Sequence, residues 1–291
     1  MTILADRAQV DRALAAVGAP GACACLNPAN TGTICHEPDC TYGLMATILA
    51  INPNTTKEVS TLVERHLRAA APAIQWRMVT GRFGARYIGS EAAFAIASHA
   101  AIDAWAEHAE GCDAVLLACF GDPGLYALRE LSPVPVVGLA EASMQAAAES
   151  AGSAARFSIV TGGPRWAPML ERLARDLGFG PKLASVRAIG ITGGQAAADP
   201  ERAAEALARA CRQVHDEDGA GAIILGGAGF AGLAERVSAL AGIAVIDSVS
   251  AGARAAERLA LGAPIPYARR PGAKQTPSLG IAAALADKLL E

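Results

Sequence analysis

The feature that most limits how this chain can fold is an internal repeat. Residues 222–233 (AIILGGAGFAGL) align without a gap on residues 114–125 (AVLLACFGDPGL). Each copy begins with a short, nearly continuous apolar run, which is typical of a strand buried on both faces of a parallel sheet. A glycine-rich turn and a helical pattern follow in both copies. The repeat therefore predicts a duplicated α/β unit.

Two further pairs of predicted strand ends repeat in the same order. Residues 137–140 align with residues 245–248 at the same offset. Residues 51–53 align with residues 160–162 at an offset one residue larger. This order predicts an α/β fold of two pseudo-symmetric lobes, each with a mostly parallel sheet flanked by helices. The active site is expected in the cleft between the lobes, because open α/β sheets bind ligands at the carboxyl ends of their strands.

The repeat also predicts the domain organisation. Residues 45–140 together with residues 248–291 form the first predicted lobe, and residues 141–247 form the second. Residues 2–17 could form a short amphipathic helix, whereas residues 18–44 lack hydrophobic periodicity and are rich in Gly, Pro, Asn and Cys. Residues 1–44 are therefore predicted to be an amino-terminal extension that is disordered or results from a mis-assigned start. Four cysteines of this extension would suffice for a structural zinc site, but their spacing lacks the paired two-residue gaps of common zinc sites. They are Cys23, Cys25, Cys35 and Cys40.

The composition excludes several classes of protein. The 25 basic and 28 acidic side chains give a net charge of -3, and no basic run is present, so neither nucleic acid nor a membrane is an expected partner. No apolar stretch reaches the roughly 18 residues of a membrane span, and the amino terminus does not have the form of a signal peptide. The seven cysteines do not form a disulfide-scaffold pattern. A cytoplasmic protein with reduced thiols is therefore expected.

Cys119 lies where a thiol is expected to ionise readily. It directly follows the predicted strand at residues 113–118, and Asp122 and Pro123 are residues that commonly begin a helix. Cys119 would then face the positive end of a helix dipole, which favours a thiolate. A lone cysteine at the end of an apolar strand is more often a small buried apolar side chain, but the surrounding repeat favours a catalytic role.

Polar or glycine-rich residues also end the other predicted strands of the cleft. Asn52 and Thr56 follow the first strand, Thr161 and Gly162 end the fifth, and residues 226–229 follow the seventh. No Lys or Arg falls at these strand ends, so an anion would be bound by backbone N–H groups, hydroxyls and helix dipoles. This favours a carboxylate or the anion of an imide over a polyphosphate. A thiolate in such a cleft would act as a general base that removes a proton next to a carbonyl.

Three motifs carry a resemblance to a known family, namely residues 51–55 (INPNT), 118–125 (ACFGDPGL) and 225–229 (LGGAG). They resemble the aspartate/glutamate/hydantoin racemase superfamily, and most closely its hydantoin and allantoin racemase branch. The resemblance implies an isomerase without a cofactor, with a small-molecule substrate and one catalytic cysteine on each of two lobes. A homo-oligomer is expected, because closed symmetric assemblies dominate among soluble enzymes.

Carried over by position, the resemblance implies that Cys119 is the first catalytic cysteine and that Asn52, Phe120 and Thr161 contact the substrate. The second cysteine would fall at Gly227, which aligns with Cys119 in the repeat. The motifs and strand ends together give a set of predicted substrate-binding residues: Asn52, Thr56, Phe120, Gly121, Asp122, Thr161, Gly162, Gly227, Ala228 and Gly229.

Gly227 leaves three hypotheses open. Inverting a stereocentre needs proton donors on both faces, so a racemase or epimerase acting on a hydantoin, allantoin or amino-acid type of carbon acid needs a second acid beside Cys119. Water, Asp122 and Ser248 are the candidates. A one-base decarboxylase or cis-trans isomerase on the same scaffold would need Cys119 alone. A non-catalytic small-molecule binder would need no acid or base, and a motif match by itself does not separate these hypotheses.

Overall fold

The computed structural model describes residues 45–151, 156–267 and 277–289. The predicted extension at residues 1–44, with its four cysteines, lies outside this part of the chain. The first sheet is built from four parallel strands: β1 (Thr47–Asn52), β2 (Gln75–Thr80), β3 (Ala114–Leu117) and β4 (Val136–Gly138). Their order across the sheet is β2-β1-β3-β4. All four residues of β3 are buried, as expected for an apolar run in the middle of a parallel sheet.

A second sheet has the same topology. Its strands are β5 (Arg156–Gly162), β6 (Leu183–Ile189), β7 (Ala220–Gly226) and β8 (Val245–Asp247). They are also parallel and lie in the order β6-β5-β7-β8. The two four-stranded parallel sheets, flanked by helices, confirm the predicted fold class. Each sheet falls within one predicted lobe, while the lobe boundaries themselves stay a prediction.

Helices connect the strands and cover the sheets. In the first half these are α1 (Lys57–Ala70), α2 (Glu91–His108), α3 (Leu125–Leu131) and α4 (Leu139–Ser150). In the second half they are α5 (Trp166–Asp176), α6 (Gly193–Ala198), α7 (Pro200–Asp218), α8 (Ala234–Ala241), α9 (Ser248–Ala260) and α10 (Ala283–Lys288). None of the helices in the described residues is long and apolar enough to span a membrane.

Strand register tests the internal repeat. Ile48 of β1 pairs with Ala114 of β3, and Phe157 of β5 pairs with Ala222 of β7. These pairs reproduce the two offsets between the copies that the alignment predicted. The last strands require a correction, because Leu117 pairs with Gly138 whereas Leu225 pairs with Asp247. Gly138 therefore corresponds to Asp247, one residue away from the alignment predicted from the sequence.

One apolar cluster joins the two sheets. Buried side chains of both sheets belong to the same cluster, including Leu116 of β3 and Ile224 of β7. Helices α4 and α9 pack against each other, and each also contacts the sheet of the other half, α4 touching β7 and α9 touching β3. Gly252 permits the close approach of α9, because a Cβ atom there would lie 2.6 Å from Leu139 Cδ1. This packing brings the carboxyl ends of both sheets to one cleft.

Candidate active site

A cavity of about 380 Å³ lies at the carboxyl ends of strands from both sheets. Cys119 follows β3, Thr161 belongs to β5, and Gly227 follows β7. The loop between β2 and α2 adds Tyr87 to the wall. Most of the predicted site residues meet here: Thr56, Cys119, Phe120, Thr161, Gly162, Gly227, Ala228 and Gly229.

Asn52 does not line the cavity. Its side chain is fully buried, and Nδ2 donates hydrogen bonds to Asn54 Oδ1, to the carbonyl of Thr56 and, at 3.0 Å, to Ser60 Oγ. These bonds shape the turn from β1 into α1. Ser248, a candidate second acid, is also buried outside the cavity lining.

Asp122 has a different role from the predicted cap of the helix that follows it. Helix α3 begins only at Leu125, with Gly124 at its cap position in the left-handed region (φ 87°). The Asp122 carboxylate instead accepts hydrogen bonds from the backbone N–H groups of Ala140 and Glu141, each at 2.9 Å, at the start of α4. Neither Gly121 nor Asp122 lines the cavity that holds Cys119.

Gly138 makes this cap possible. A Cβ atom at position 138 would overlap the Asp122 carboxylate, so only glycine leaves room for that side chain. In the second half the corresponding residue, Asp247, caps α9 directly, because its Oδ1 accepts from the Ser250 N–H at 2.7 Å. Asp247 Oδ2 also accepts from the Gly232 N–H. In both halves a carboxylate therefore caps the helix that follows the last strand, but Asp122 and Asp247 are not equivalent positions of the repeat.

Cys119 does not have the acidic thiol that its sequence position predicts. Its side chain is 8% exposed, and burial, with a smaller contribution from the charge of Asp122, raises the pKa of Cys119 to about 12. The helix after it is short and begins at Leu125. The Asp122 carboxyl, whose own pKa is raised by burial to about 7, opposes ionisation of the thiol when it is charged. Desolvation therefore outweighs the helix dipole on which the prediction relied.

We expect alkylation of Cys119 by iodoacetamide to be slow at pH 7 and to become about tenfold faster with each pH unit through at least pH 10. Only the thiolate reacts, and a raised pKa means that the thiolate fraction keeps growing over this range. Quenched samples analysed by peptide mass spectrometry would give the rate at Cys119, with unfolded protein as the reference. A plateau below pH 9 would contradict the raised pKa.

Three aromatic residues of the wall, Tyr87, Trp166 and Phe230, were not predicted from the sequence. Tyr87 lies in the 81–90 loop between β2 and α2. Its hydroxyl donates a hydrogen bond to the Gly162 carbonyl at 3.3 Å. Burial raises the pKa of Tyr87, a hydrogen bond with the Trp166 side chain opposes the shift, and the nearby Cys119 adds to it.

Aromatic rings lie close to the glycines at the end of β7 and directly after it. A Cβ atom at Gly226 would lie 2.5 Å from the Phe120 ring, and one at Gly227 would lie 3.1 Å from the Phe230 ring. Gly227 also has a φ of 143°, a backbone conformation that favours glycine. This wall of the cavity consequently presents backbone where the opposite wall presents the Cys119 thiol.

The wall is poor in charge. Among the described residues that line it, the titratable ones are Arg86, Tyr87 and Cys119. No group of three or more His, Cys, Asp or Glu side chains in the described residues could hold a metal ion. The cavity therefore suits a compact ligand with little net charge better than one with several charges.

Comparisons with known proteins agree with this geometry. Residues 48–256 match the family described as "Asp/Glu/Hydantoin racemase". A hydantoin racemase of Paenarthrobacter aurescens is 40% identical over 223 residues, which cover 73% of this chain and 90% of that protein. A hydantoin racemase of Rhizobium meliloti is 40% identical over 151 residues, or 52% of this chain and 61% of that protein. The structure of allantoin racemase from Klebsiella pneumoniae superposes with a TM-score of 0.74 at 34% identity, covering 81% of this chain and 96% of that chain.

Proposed function

Since the chain belongs to the hydantoin and allantoin racemase branch of the Asp/Glu/hydantoin racemase family, we propose that it is a cofactor-independent racemase or epimerase of a carbon acid. The observation that carries the proposal is the Cys119 thiol in the wall of the cavity between the two sheets. In its ionised form the thiolate removes the proton from the carbon next to a carbonyl. The electron pair of that C–H bond moves into an enolate, and a proton added to the opposite face inverts the centre.

The lining supports a cyclic ureide, such as a 5-substituted hydantoin or allantoin, as the substrate class. Apolar and aromatic side chains, among them Phe120, Trp166 and Phe230, form much of the wall. Arg86 is the one cationic side chain among the described lining residues. Free aspartate or glutamate carries three charged groups, whose desolvation this lining would not compensate. Backbone N–H groups of the glycine-rich turns suit the carbonyl oxygens of an imide and of its enolate.

The raised pKa of Cys119 is consistent with this chemistry. A thiolate whose conjugate acid has a high pKa is a stronger base, and protons next to a carbonyl are only weakly acidic. The cost is that only a small fraction of the enzyme carries the thiolate at neutral pH. We therefore assign Cys119 the role of a strong base that is rarely ionised.

We further propose that Gly227 stands where the family resemblance places the second catalytic cysteine. Support comes from the strand register, because Leu117 before Cys119 and Leu225 before Gly227 occupy matching positions in the two sheets. Both Cys119 and Gly227 line the cavity.

A single thiol also supports a second candidate function, a one-base decarboxylation or cis-trans isomerisation on the same scaffold.

The test follows the α-proton by NMR in deuterated water for both enantiomers of 5-benzylhydantoin and of allantoin, with optical rotation recorded in parallel. Exchange with loss of rotation is expected for a cyclic ureide, and no exchange is expected for aspartate or glutamate. Exchange of one enantiomer with retained rotation would favour the one-base alternative, which malonate and maleate analogues would then test. Absence of enzyme-dependent exchange from every cyclic ureide would contradict the racemase proposal.

A further inference from the structure

We infer that the phenol of Tyr87 is the second acid–base group of the site, which exchanges a proton with the substrate on the face that Gly227 leaves without a side chain. The inference rests on the racemase function proposed above, because inversion requires acid–base groups on both faces of the carbon. Among the described residues that line the cavity, Tyr87 and Arg86 are the titratable side chains besides Cys119. Arg86 is unsuitable, since a guanidinium stays protonated in proteins.

The position of the Tyr87 hydroxyl also supports its role as the second acid–base group. Tyr87 belongs to the loop that follows β2, but its hydroxyl crosses the cleft and donates to the carbonyl of Gly162, at the end of β5. A Cβ atom on Gly163 would overlap this hydroxyl. Thr161 of β5 pairs with Gly226 of β7, so the end of β5 lies beside the turn that contains Gly227. The phenol is consequently held at the end of β5, beside the strand that leads to Gly227, while Cys119 follows β3 of the other sheet.

The other polar groups are less suitable. Asp122 and Ser248 do not line this cavity. Thr56, Thr161 and Thr192 line the cavity, but each offers only an aliphatic hydroxyl. An aliphatic hydroxyl is also a far weaker acid than a phenol, whose ordinary pKa is about 10. Tyr87 is therefore the neutral acid best placed to give up a proton.

The proton transfers balance in both directions. In one direction the Cys119 thiolate takes the α-proton, the Tyr87 O–H bond breaks and its proton joins the carbon, leaving a Cys119 thiol and a Tyr87 phenolate. In the other direction the phenolate takes the α-proton and the thiol gives its proton to the opposite face. A proton passed from the thiol to the phenolate through solvent restores the first form. Burial raises the pKa of the Tyr87 phenol, and a hydrogen bond with the Trp166 side chain opposes part of that shift.

The experiment compares the wild type with Tyr87→Phe, using both enantiomers of 5-benzylhydantoin in deuterated water. Tyr126→Phe is the matched control, because Tyr126 is an exposed residue of α3 outside the cavity lining. We expect Tyr87→Phe to slow inversion by at least about 100-fold, the usual scale of one general acid–base group. One enantiomer should still exchange its α-proton with retained configuration, through Cys119. KM should change by less than about threefold, since the ring that contacts the ligand is kept.

The outcomes separate the two proposals. If the wild type inverts the substrate and Tyr87→Phe inverts it at the same rate, the role of Tyr87 is overturned and the racemase function stays intact. Equal loss of exchange for both enantiomers in a folded Tyr87→Phe protein would also overturn it, because a positioning role would slow both proton transfers. A wild type that shows no inversion at all would contradict the racemase function, and with it the need for a second acid.

Discussion

Replacing Cys119 by serine is expected to lower the rate of hydantoin or allantoin racemisation by about 10³-fold, within the range that a general base contributes. Serine is nearly isosteric with cysteine, so the cavity wall keeps its shape. A serine hydroxyl, however, is a much weaker acid than a thiol and supplies almost no base at the pH of the assay. The effect should fall on kcat, with KM nearly unchanged, because the substitution removes an interaction made only in the transition state.

Cys112→Ser is the matched control for this experiment. Cys112 is another buried thiol, but it follows α2 outside the cavity lining, and its Sγ donates to the His108 carbonyl at 3.9 Å. Serine is nearly isosteric with cysteine there too, so this substitution reproduces the change of atom without touching the cavity. We expect Cys112→Ser to retain at least half of the activity, measured by polarimetry. Retention of most activity by Cys119→Ser, with Tm within a few degrees of wild type, would refute the assignment of Cys119 as the base.

Substituting Gly138 by alanine is expected to destabilise the fold by about 3 kcal/mol. The new methyl group would overlap the Asp122 carboxylate and displace it from the backbone N–H groups of Ala140 and Glu141. Loss of the acceptor leaves the buried Ala140 N–H and the partly buried Glu141 N–H without their cap, at a cost of about 1–3 kcal/mol for a buried group. Tm should fall by roughly 5 °C for a chain of this size. Activity should fall too, because Asp122 lies in the turn that carries Cys119.

Gly190→Ala is the matched control for Gly138→Ala, since a Cβ atom at Gly190 meets nothing within 4 Å. The free energies of unfolding of Gly138→Ala and Gly190→Ala, measured with denaturant, should differ by about 3 kcal/mol. The Asp122→Ala background provides a sharper test, because without the carboxylate the added methyl group no longer has that overlap. In that background, adding Gly138→Ala should lower the free energy of unfolding by less than about 1 kcal/mol relative to Asp122→Ala alone. An equal cost of Gly138→Ala in both backgrounds would show that the overlap with Asp122 is not the cause.

The fold could be predicted from the sequence to a large extent. The central strands β1, β3 and β7 appear as apolar runs because a strand inside a parallel sheet is buried on both faces. The internal repeat predicted that the strands of both sheets lie in the same order. The polar and glycine-rich residues at the strand ends indicated where the cleft lies. The sequence placed β8 one residue out of register with β4, since a three-residue strand contains too few apolar positions to define its offset.

The candidate site could be predicted only in part. Cys119, Thr161 and Gly227 were predicted because they end strands, and backbone topology alone brings the ends of parallel strands together. Tyr87 and Trp166 come from a loop and from the start of a helix, where the path of the chain depends on tertiary packing. Phe230 lies in a turn whose counterpart in the first copy is Asp122, so the repeat itself gave no reason to expect an aromatic ring there.

The sequence by itself therefore determined the duplicated sheet architecture, the family and the thiol at the cleft, because these follow from local apolar patterns and from motifs that are contiguous in the chain. Only the tertiary structure decided that Asp122 caps α4, that Cys119 has a raised pKa and that Tyr87 reaches the end of β5. Each of these depends on desolvation or on contacts between residues far apart in sequence, such as Asp122 with Gly138 and Tyr87 with Gly162. Burial and the direction of a side chain are properties of the packed molecule, and no local pattern in the chain encodes them.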